Sequence, residues 1–398
     1  KMCRPCTCPT CKKTTWTGCG LHINSALNGV PLTERCLGWR VGRCPLADDG
    51  TNSGRGKMED ALAICKDTSS IDLPPGPYIA CVEGGGTTWV VALSLLRSPT
   101  RILMKAEFPT ENPASKTLSN CANWLQNLPV DYVGLGVATF GPINRQTGFI
   151  TTTPKKGWNN VDVLSPFRNL AKSAGVPIKF DTDVNAPAFA EYLEAKKTNE
   201  KITSTCYVTC GTGVGVGLVV NEKPVGGLMH PEGGHIAIAR LEGDEFGGYS
   251  WGAHAPYHGK ITVEGNASSV ALLERLNLDP RNADVLKNLP DDAEVFKHCA
   301  NALANLCASL ILLVSAERIV LSGGIMLRKC LLEMIRTRTR EILNGYIDVE
   351  EVIDPDRMRN LIVPSAWGNN AGIVGALSLA VTAYEEQNKM KKKGDDSG

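Results

Sequence analysis

The sequence predicts an α/β protein with a small cysteine-rich module at its front. Three observations carry this. From residue 78 onward, short apolar strands alternate with helical segments, the pattern of layered α/β folds. Two of those strands run into glycine-rich turns and come out again as strands. Of 15 cysteines, eight crowd into the first 65 residues: Cys3, Cys6, Cys8, Cys11, Cys19, Cys36, Cys44 and Cys65.

A chain of 398 residues predicts two or three domains with a sizeable core. Lys+Arg is 42 and Asp+Glu is 41, so no global field draws in nucleic acid or an anionic membrane. No run of 18 apolar residues lacks charge, so no membrane span is expected. No signal peptide is read at the N-terminus. The remaining cysteines lie in apolar segments such as Cys206-Tyr207-Val208-Thr209-Cys210 and read as buried thiols of a reducing, cytoplasmic setting.

Residues 1–50 form the first unit. Cys8-Pro9-Thr10-Cys11 is a C-x2-C pair and Cys19-Gly20-Leu21-His22 a C-x2-H pair. Two such pairs can enclose a tetrahedral Zn²⁺, which would supply folding energy that so small a core lacks. Cys8, Cys11 and His22 are the favoured ligands, with Cys19 or Cys36 completing the set. Disulfides or free thiols are the alternatives. The stretch Thr14-Thr15-Trp16-Thr17-Gly18-Cys19-Gly20-Leu21-His22 resembles a small eukaryotic Cys-rich family over roughly residues 5–45, which implies a folded zinc-type module but no chemistry. Residues 51–76 read as a linker with a short helix at Met58–Lys66.

The main body starts at the strand Tyr78–Val82. It turns through Glu83-Gly84-Gly85-Gly86-Thr87 and leaves as Trp89–Leu93. Glycines here would let backbone N–H groups reach phosphate oxygens, Thr87 adds a hydroxyl, and Glu83 is placed to hold Mg²⁺. An ordinary tight hairpin is the plain alternative. A helix at Leu118–Leu128 precedes the strand Tyr132–Val137, which ends in Thr139-Phe140-Gly141-Pro142-Ile143 at a carboxyl end where α/β sheets bind ligands. The loop Thr151–Trp158 lines a sugar site or crosses the surface. A helix at Val163–Ser173 leads to the strand Pro177–Phe180.

Asp183 lies between that strand and the helix Ala186–Ala195. A carboxylate there is a general base for a bound hydroxyl or a simple helix N-cap. Asn185 orients the acid or caps the helix. The strand Ser204–Thr209 enters the loop Gly211–Gly217 and exits as Leu218–Val220. Two strand–glycine–strand hairpins could each clamp one end of a triphosphate. Neither is a P-loop or a dinucleotide fingerprint, because strands follow both turns. His230, His235, His254 and His258 form a dense stretch open to a metal reading. Glu232 and His235 suit vicinal hydroxyls. The apolar helix His298–Glu317 is buried. The strand Arg318–Leu321 turns at Ser322-Gly323-Gly324-Ile325 into the helix Leu327–Asn344, whose N-terminus faces phosphate or the nucleoside. A last strand at Leu361–Val363 precedes a helix ending near Tyr384, and residues 385–398 read as a disordered charged tail.

Residues 78–382 resemble the ROK sugar kinases, fructokinase branch. The resemblance rests on Glu83-Gly84-Gly85-Gly86-Thr87, Phe140-Gly141-Pro142-Ile143, Thr153-Pro154-Lys155-Lys156-Gly157-Trp158, Asp181-Thr182-Asp183-Val184-Asn185, Gly211-Thr212-Gly213-Val214-Gly215, His230-Pro231-Glu232-Gly233-Gly234-His235 and Pro256-Tyr257-His258-Gly259. It implies a two-lobed actin-like ATPase fold of the ribonuclease H-like class, with lobes at 77–195 and 196–384 and a central cleft. It implies Asp183 as general base. Glu232, His235, Asn185 and Gly141 would contact sugar. Glu83, Gly85, Gly86, Thr87, Gly211, Thr212, Gly213, Gly323 and Gly324 would serve ATP and Mg²⁺. A homodimer is implied as well. The sequence departs from the family at its zinc loop, where Ala255 and Lys260-Ile261-Thr262-Val263 replace the cysteines. That zinc is expected to be lost unless His254 substitutes. The leading expectation is ATP-dependent phosphorylation of fructose at its 6-hydroxyl. The rivals are a ROK kinase for glucose, mannose or N-acetylmannosamine, and a catalytically impaired sugar- or nucleotide-binding scaffold.

Overall fold

The structure, a computed structural model, describes residues 4–8, 14–17, 73–280 and 282–395. In the front module, strands β1 (Arg4–Thr7) and β2 (Thr14–Thr17) pair antiparallel. Cys8 is buried behind them. Cys11, Cys19, His22, Cys36 and the helix expected at Met58–Lys66 lie outside the described residues.

The body is one arrangement used twice. Its first sheet holds β3 (Tyr78–Gly84), β4 (Thr88–Leu95), β5 (Ser98–Pro109), β6 (Tyr132–Thr139) and β10 (Ile178–Thr182), in the order β10-β6-β3-β4-β5. The small strands β7 (Ile143–Asn144), β8 (Phe149–Ile150) and β9 (Val161–Asp162) form a separate three-stranded ribbon. The second sheet holds β11 (Thr205–Cys210), β12 (Val214–Val220), β13 (Lys223–Pro224), β14 (Ile319–Ser322) and β15 (Ile362–Pro364), in the order β13-β12-β11-β14-β15. In each sheet the central strand pairs antiparallel with the hairpin strand on one side and parallel with a later strand on the other. Each hairpin therefore opens at the same end of its sheet as the carboxyl ends of the parallel strands.

The sequence explains the strands. Tyr78–Val82 and Thr205–Val208 are buried almost throughout, and their continuous apolar runs suit central positions. β5 escapes that reading because Arg101, Lys105 and Glu107 break its pattern, as charges do on edge strands.

Two helices tie the halves together. The helix Asn185–Lys196 closes the first half in sequence but packs on β11 and β12 of the second sheet. The C-terminal helix Ala371–Asp395 follows the second half but packs on β3 and β6 of the first. They cross where a Cβ on Gly375 would strike the backbone of Ala186 and Pro187, and the first of them is seated on β12 where a Cβ on Gly217 would strike the Val184 carbonyl. Small residues allow these close approaches, so the two halves meet along a packed seam. The C-terminal helix also runs through residues 385–395, expected as a disordered tail. Their Glu and Lys residues are good helix formers, and Glu386 pairs with Lys179.

The helix Glu294–Val314 is long and apolar enough to cross a membrane by length and composition. It lies instead in the core of the second half with Phe296, Leu303 and Leu306 fully buried. It ends at Ser315, which adopts a left-handed conformation at φ 50°.

Candidate active site

Asp183 stands at the seam. The cap reading fails for it: the helix that follows has Val184 at its N-cap and no side-chain cap, and the Asn185 N–H donates to Thr182 Oγ1 at 3.0 Å. The Asp183 N–H donates to Thr139 O at 2.9 Å, which fastens the residue to the end of β6. Its carboxylate is half-buried and has no other side chain bonded to it among the described residues.

Asp183 is one of four acids that meet at the cleft. Burial pushes its pKa up to about 7. Burial and then the charges of Asp183 and Glu107 push Glu83 up to about 8. Burial and then the charges of Asp183 and Glu264 push Glu232 up to about 7. Glu83 comes from the first sheet and Glu232 from the second half, so the Asp183 charge reaches groups of both halves. A base with a pKa near the working pH is well suited to take a hydroxyl proton.

Glu232 is framed by two histidines. His235 Nε2 lies 3.8 Å from Glu232 Oε2, and His230 Nδ1 lies 3.5 Å from Glu232 Oε1. His230 is buried and neutral, because burial lowers its pKa. Its Nε2 accepts the Ile143 N–H at 3.0 Å, linking the two halves, and its Nδ1 lies 3.2 Å from Pro231 O. Gly141, expected to touch sugar, packs instead against this ring: a Cβ there would lie 2.9 Å from His230 Cε1. It makes room for His230 at the inter-lobe joint.

Asn185 also moves from contact to positioning. It is fully buried. Its Nδ2 donates to Val225 O at 3.0 Å and its Oδ1 accepts the Leu218 N–H at 3.2 Å. Both polar ends are used to hold the helix on the second sheet. Arg145, not read from the sequence, joins the same clasp. It bonds Asp181 Oδ1 at 2.8 Å and Val225 O at 3.3 Å. Nothing in the spacing pairs an arginine with an aspartate 36 residues later.

The two hairpins are built differently. At the first, the Gly85 N–H donates to Thr88 O at 2.9 Å, and Thr110 clasps the turn through Thr87 O and Gly85 O at 2.9 Å each. Gly86 and Thr87 form the exposed tip. Glu83 lies under it, close to the start of the C-terminal helix: a Cβ on Gly372 would lie 2.9 Å from Glu83 Oε1. Lys155, read from the sequence only as part of the Thr151–Trp158 loop, donates from Nζ to Gly86 O.

At the second hairpin, Glu264 is the missed residue. Its Oε2 accepts the Val214 N–H at 2.9 Å, and a Cβ on Gly213 would approach that oxygen to 2.6 Å. The Ser269 N–H donates to Gly211 O at 2.7 Å. Gly323, at φ 94°, packs against Cys210 at the base of the turn. Around Gly211 and Gly324 a Cβ would meet nothing within 4 Å, which leaves the space beside them open to a ligand, although the Gly211 N–H itself donates to Gly213 O at 2.9 Å. Thr212 sits at the tip, exposed. The helix expected from Leu327 begins with a short 3₁₀ turn, Gly324–Leu327, before Cys330–Leu343.

Trp158 is a core residue rather than the cap of a sugar loop. It stacks on Trp89 at 5.1 Å and meets Phe140 edge-on at 5.4 Å. In the histidine-rich stretch, and in all the described residues, no three His, Cys, Asp or Glu side chains come together as metal ligands. His254 therefore does not assemble a site with His235 and His258. The loop after His235 is fastened by ions: Asp244 pairs with Arg275 at 2.6 Å and lies 3.1 Å from His298 Nδ1. Arg275 holds the Asp244 carboxyl down to about 2.

Comparison with known proteins fits this geometry. A profile of the ROK family matches residues 79–383, and one for a domain of unknown function (DUF8730) matches residues 2–45. A fructokinase of Zymomonas mobilis is 34% identical over 320 residues, covering 76% of this chain and 96% of its own. A fructokinase of Pediococcus pentosaceus is 32% identical over 312 residues, covering 77% of this chain and 99% of its own. Among solved structures, a ROK hexokinase of Thermus thermophilus superposes with a TM-score of 0.58 at 21% identity, covering 78% of this chain and 99% of that one. At that identity it speaks for the shared fold alone.

Proposed function

The chain belongs to the ROK family, and we propose that within it this protein is an ATP-dependent fructokinase that makes fructose 6-phosphate. One observation carries the chemistry: Asp183 presents a carboxylate with a pKa raised to about 7, uncapped and fixed at the lobe seam. The choice of fructose rests on the named relatives, which match over nearly their whole length.

The reaction follows from the parts. Asp183 accepts the proton of the sugar 6-hydroxyl. That oxygen forms its bond to the γ-phosphorus as the bond to the β-phosphate oxygen breaks, and ADP leaves. Glu232 and His235 take sugar hydroxyls. The turns Gly85-Gly86 and Gly211-Thr212-Gly213, with their exposed tips at Gly86 and Thr212 and the Thr87 hydroxyl, take phosphate oxygens, and Gly323 and Gly324 lie beside the nucleoside. Such positioning supplies most of what phosphoryl transfer needs. Mg²⁺ commonly takes one or two carboxylates beside substrate phosphates, so the hard oxygens of Glu83 fit it, and it would screen the polyphosphate charge. The seam brings both lobes against the site, so closure would exclude water.

The test is ADP release from MgATP with fructose, glucose, mannose and N-acetylmannosamine, with the product's phosphate position read by NMR. Fructose turnover giving the 6-phosphate is expected. Turnover confined to another hexose would replace fructose. Nucleotide or sugar binding without turnover on any of them would make the chain a binding scaffold.

The front module is proposed as a zinc site from Cys8, Cys11 and His22 with Cys19 or Cys36. Metal analysis should find about one zinc per chain, lost on deleting residues 1–50. A homodimer is part of the same reading, checked by light scattering.

A further inference from the structure

The cleft has a charge problem that the residues assigned so far do not solve. Glu83, Asp183, Glu232 and Glu264 lie around it, near enough that the Asp183 charge helps raise Glu83 and Glu232 and the Glu264 charge helps raise Glu232. To the extent that these carboxyls are ionised they repel a triphosphate brought among them, and the transferring phosphoryl group is the part nearest to them. Backbone N–H groups offer partial charges only. A full positive charge at the first hairpin would offset the repulsion where the bond changes.

Lys155 is in that place. Its Nζ donates to the Gly86 carbonyl at the tip of the hairpin and sits 5.4 Å from the centre of the Phe140 ring. Among the described residues no carboxylate forms an ion pair with it. A cation whose only partners are a carbonyl and a ring face loses little on moving to a phosphate. Its turn is rigid beneath it. The Trp158 N–H closes the turn on Lys155 O at 3.1 Å, and Trp158 itself is buried, stacked on Trp89, and bonded from Nε1 to Glu111 O at 2.9 Å. The backbone is fixed while the four-carbon stem is free to swing.

We propose that Lys155 is a catalytic residue whose ammonium leaves the Gly86 carbonyl in the ATP complex and binds the transferring γ-phosphoryl group. The assignment rests on the kinase reading above. Half-burial, which lowers the Lys155 pKa, also makes its charge more effective there.

The test uses the full chain with Lys155→Met and Lys155→Arg. Calorimetry with Mg·AMP-PNP and with MgADP needs no turnover. Lys155→Met should weaken Mg·AMP-PNP about tenfold or more and leave MgADP within about twofold, and Lys155→Arg should recover most of the loss. On fructose, Lys155→Met should lower kcat by about 10²-fold with the fructose KM little changed. Equal weakening of both nucleotides, or of neither, would overturn the assignment, since a brace for the hairpin predicts no preference for the γ-phosphate. A change confined to the fructose KM would overturn it too, by placing Lys155 on the sugar. A wild-type protein that binds Mg·AMP-PNP but turns over no hexose defeats the fructokinase reading, while the two nucleotide affinities still decide on Lys155. A wild-type protein that binds neither nucleotide overturns both.

Discussion

The hairpin of the first half and the hairpin of the second occupy the same place in the same five-stranded order, yet they carry opposite equipment. β3 carries Glu83 just before its last residue, Gly84, and the turn after it is touched by a lysine, Lys155. β11 ends in Cys210, a buried thiol, and the turn after it is touched by a carboxylate, Glu264. The shared backbone supplies N–H groups in both halves. The charge comes from elsewhere: Lys155 is 69 residues from Gly86, and Glu264 is 50 residues from Val214. A repeated cradle can therefore be specialised without altering its strands, through what distant loops bring to its tip. In this account the first hairpin meets the reacting end of ATP. The second, beside the open backbone of Gly324, meets the rest of it.

This contrast can be broken by experiment. The largest separation is expected between two glycines of the second hairpin strand and loop. Gly211→Ala adds a methyl group to empty space, so melting should be unchanged while the KM for ATP rises about tenfold, because the methyl group occupies room a phosphate would take. Gly217→Ala drives a methyl group into the Val184 carbonyl, so stability should fall by about 1–3 kcal/mol in denaturant unfolding. Matching behaviour of the two variants would remove the division between ligand-facing and seam-facing glycines.

Asn185→Ala comes next. It leaves the Leu218 N–H and the Val225 carbonyl without their partner in the seam, at about 1–3 kcal/mol. It should lower kcat through loosened placement of Asp183 and leave the fructose KM nearly unchanged. A large rise in that KM alone would return Asn185 to the sugar site.

The smallest effect concerns pH. The folded pKa values of Glu83 and Asp183, about 8 and about 7, lie above their ordinary values. Between about pH 4 and pH 8 the folded protein therefore binds more protons than the unfolded chain, and its stability falls as pH rises. Glu83→Gln should then stabilise the ligand-free protein at pH 8, on the order of 1–2 kcal/mol after allowing for solvent, and give little at pH 4.5. A destabilised Glu83→Gln protein at pH 8 would show that the carboxylate is satisfied rather than strained.

The sequence made the strands and both glycine turns legible because burial writes itself as apolar runs and tight turns as glycine. Asp183 was legible as a candidate, but its alternative as a helix cap fell only when Thr182 was seen doing that work. Asn185 and Gly141 were read as sugar contacts, whereas in the structure Asn185 is buried with both polar ends bonded and Gly141 packs against His230, which a motif cannot show because it does not say which way a side chain points. Arg145 and Glu264 went unread, and Lys155 was read only as part of a loop, for a common reason: each meets its partner across a fold that brings distant segments together, and no local periodicity records it. The crossing of the helices Asn185–Lys196 and Ala371–Asp395 between the halves is likewise a property of packing rather than of either segment.

The central claim is that Asp183 takes the sugar proton. Its most direct test is kcat on fructose with MgATP for the wild type and Asp183→Asn, with fructose affinity measured for both. The account predicts that kcat falls by about 10²–10⁴-fold in the variant while fructose binds within a few-fold of wild type. Turnover that survives the substitution would contradict it.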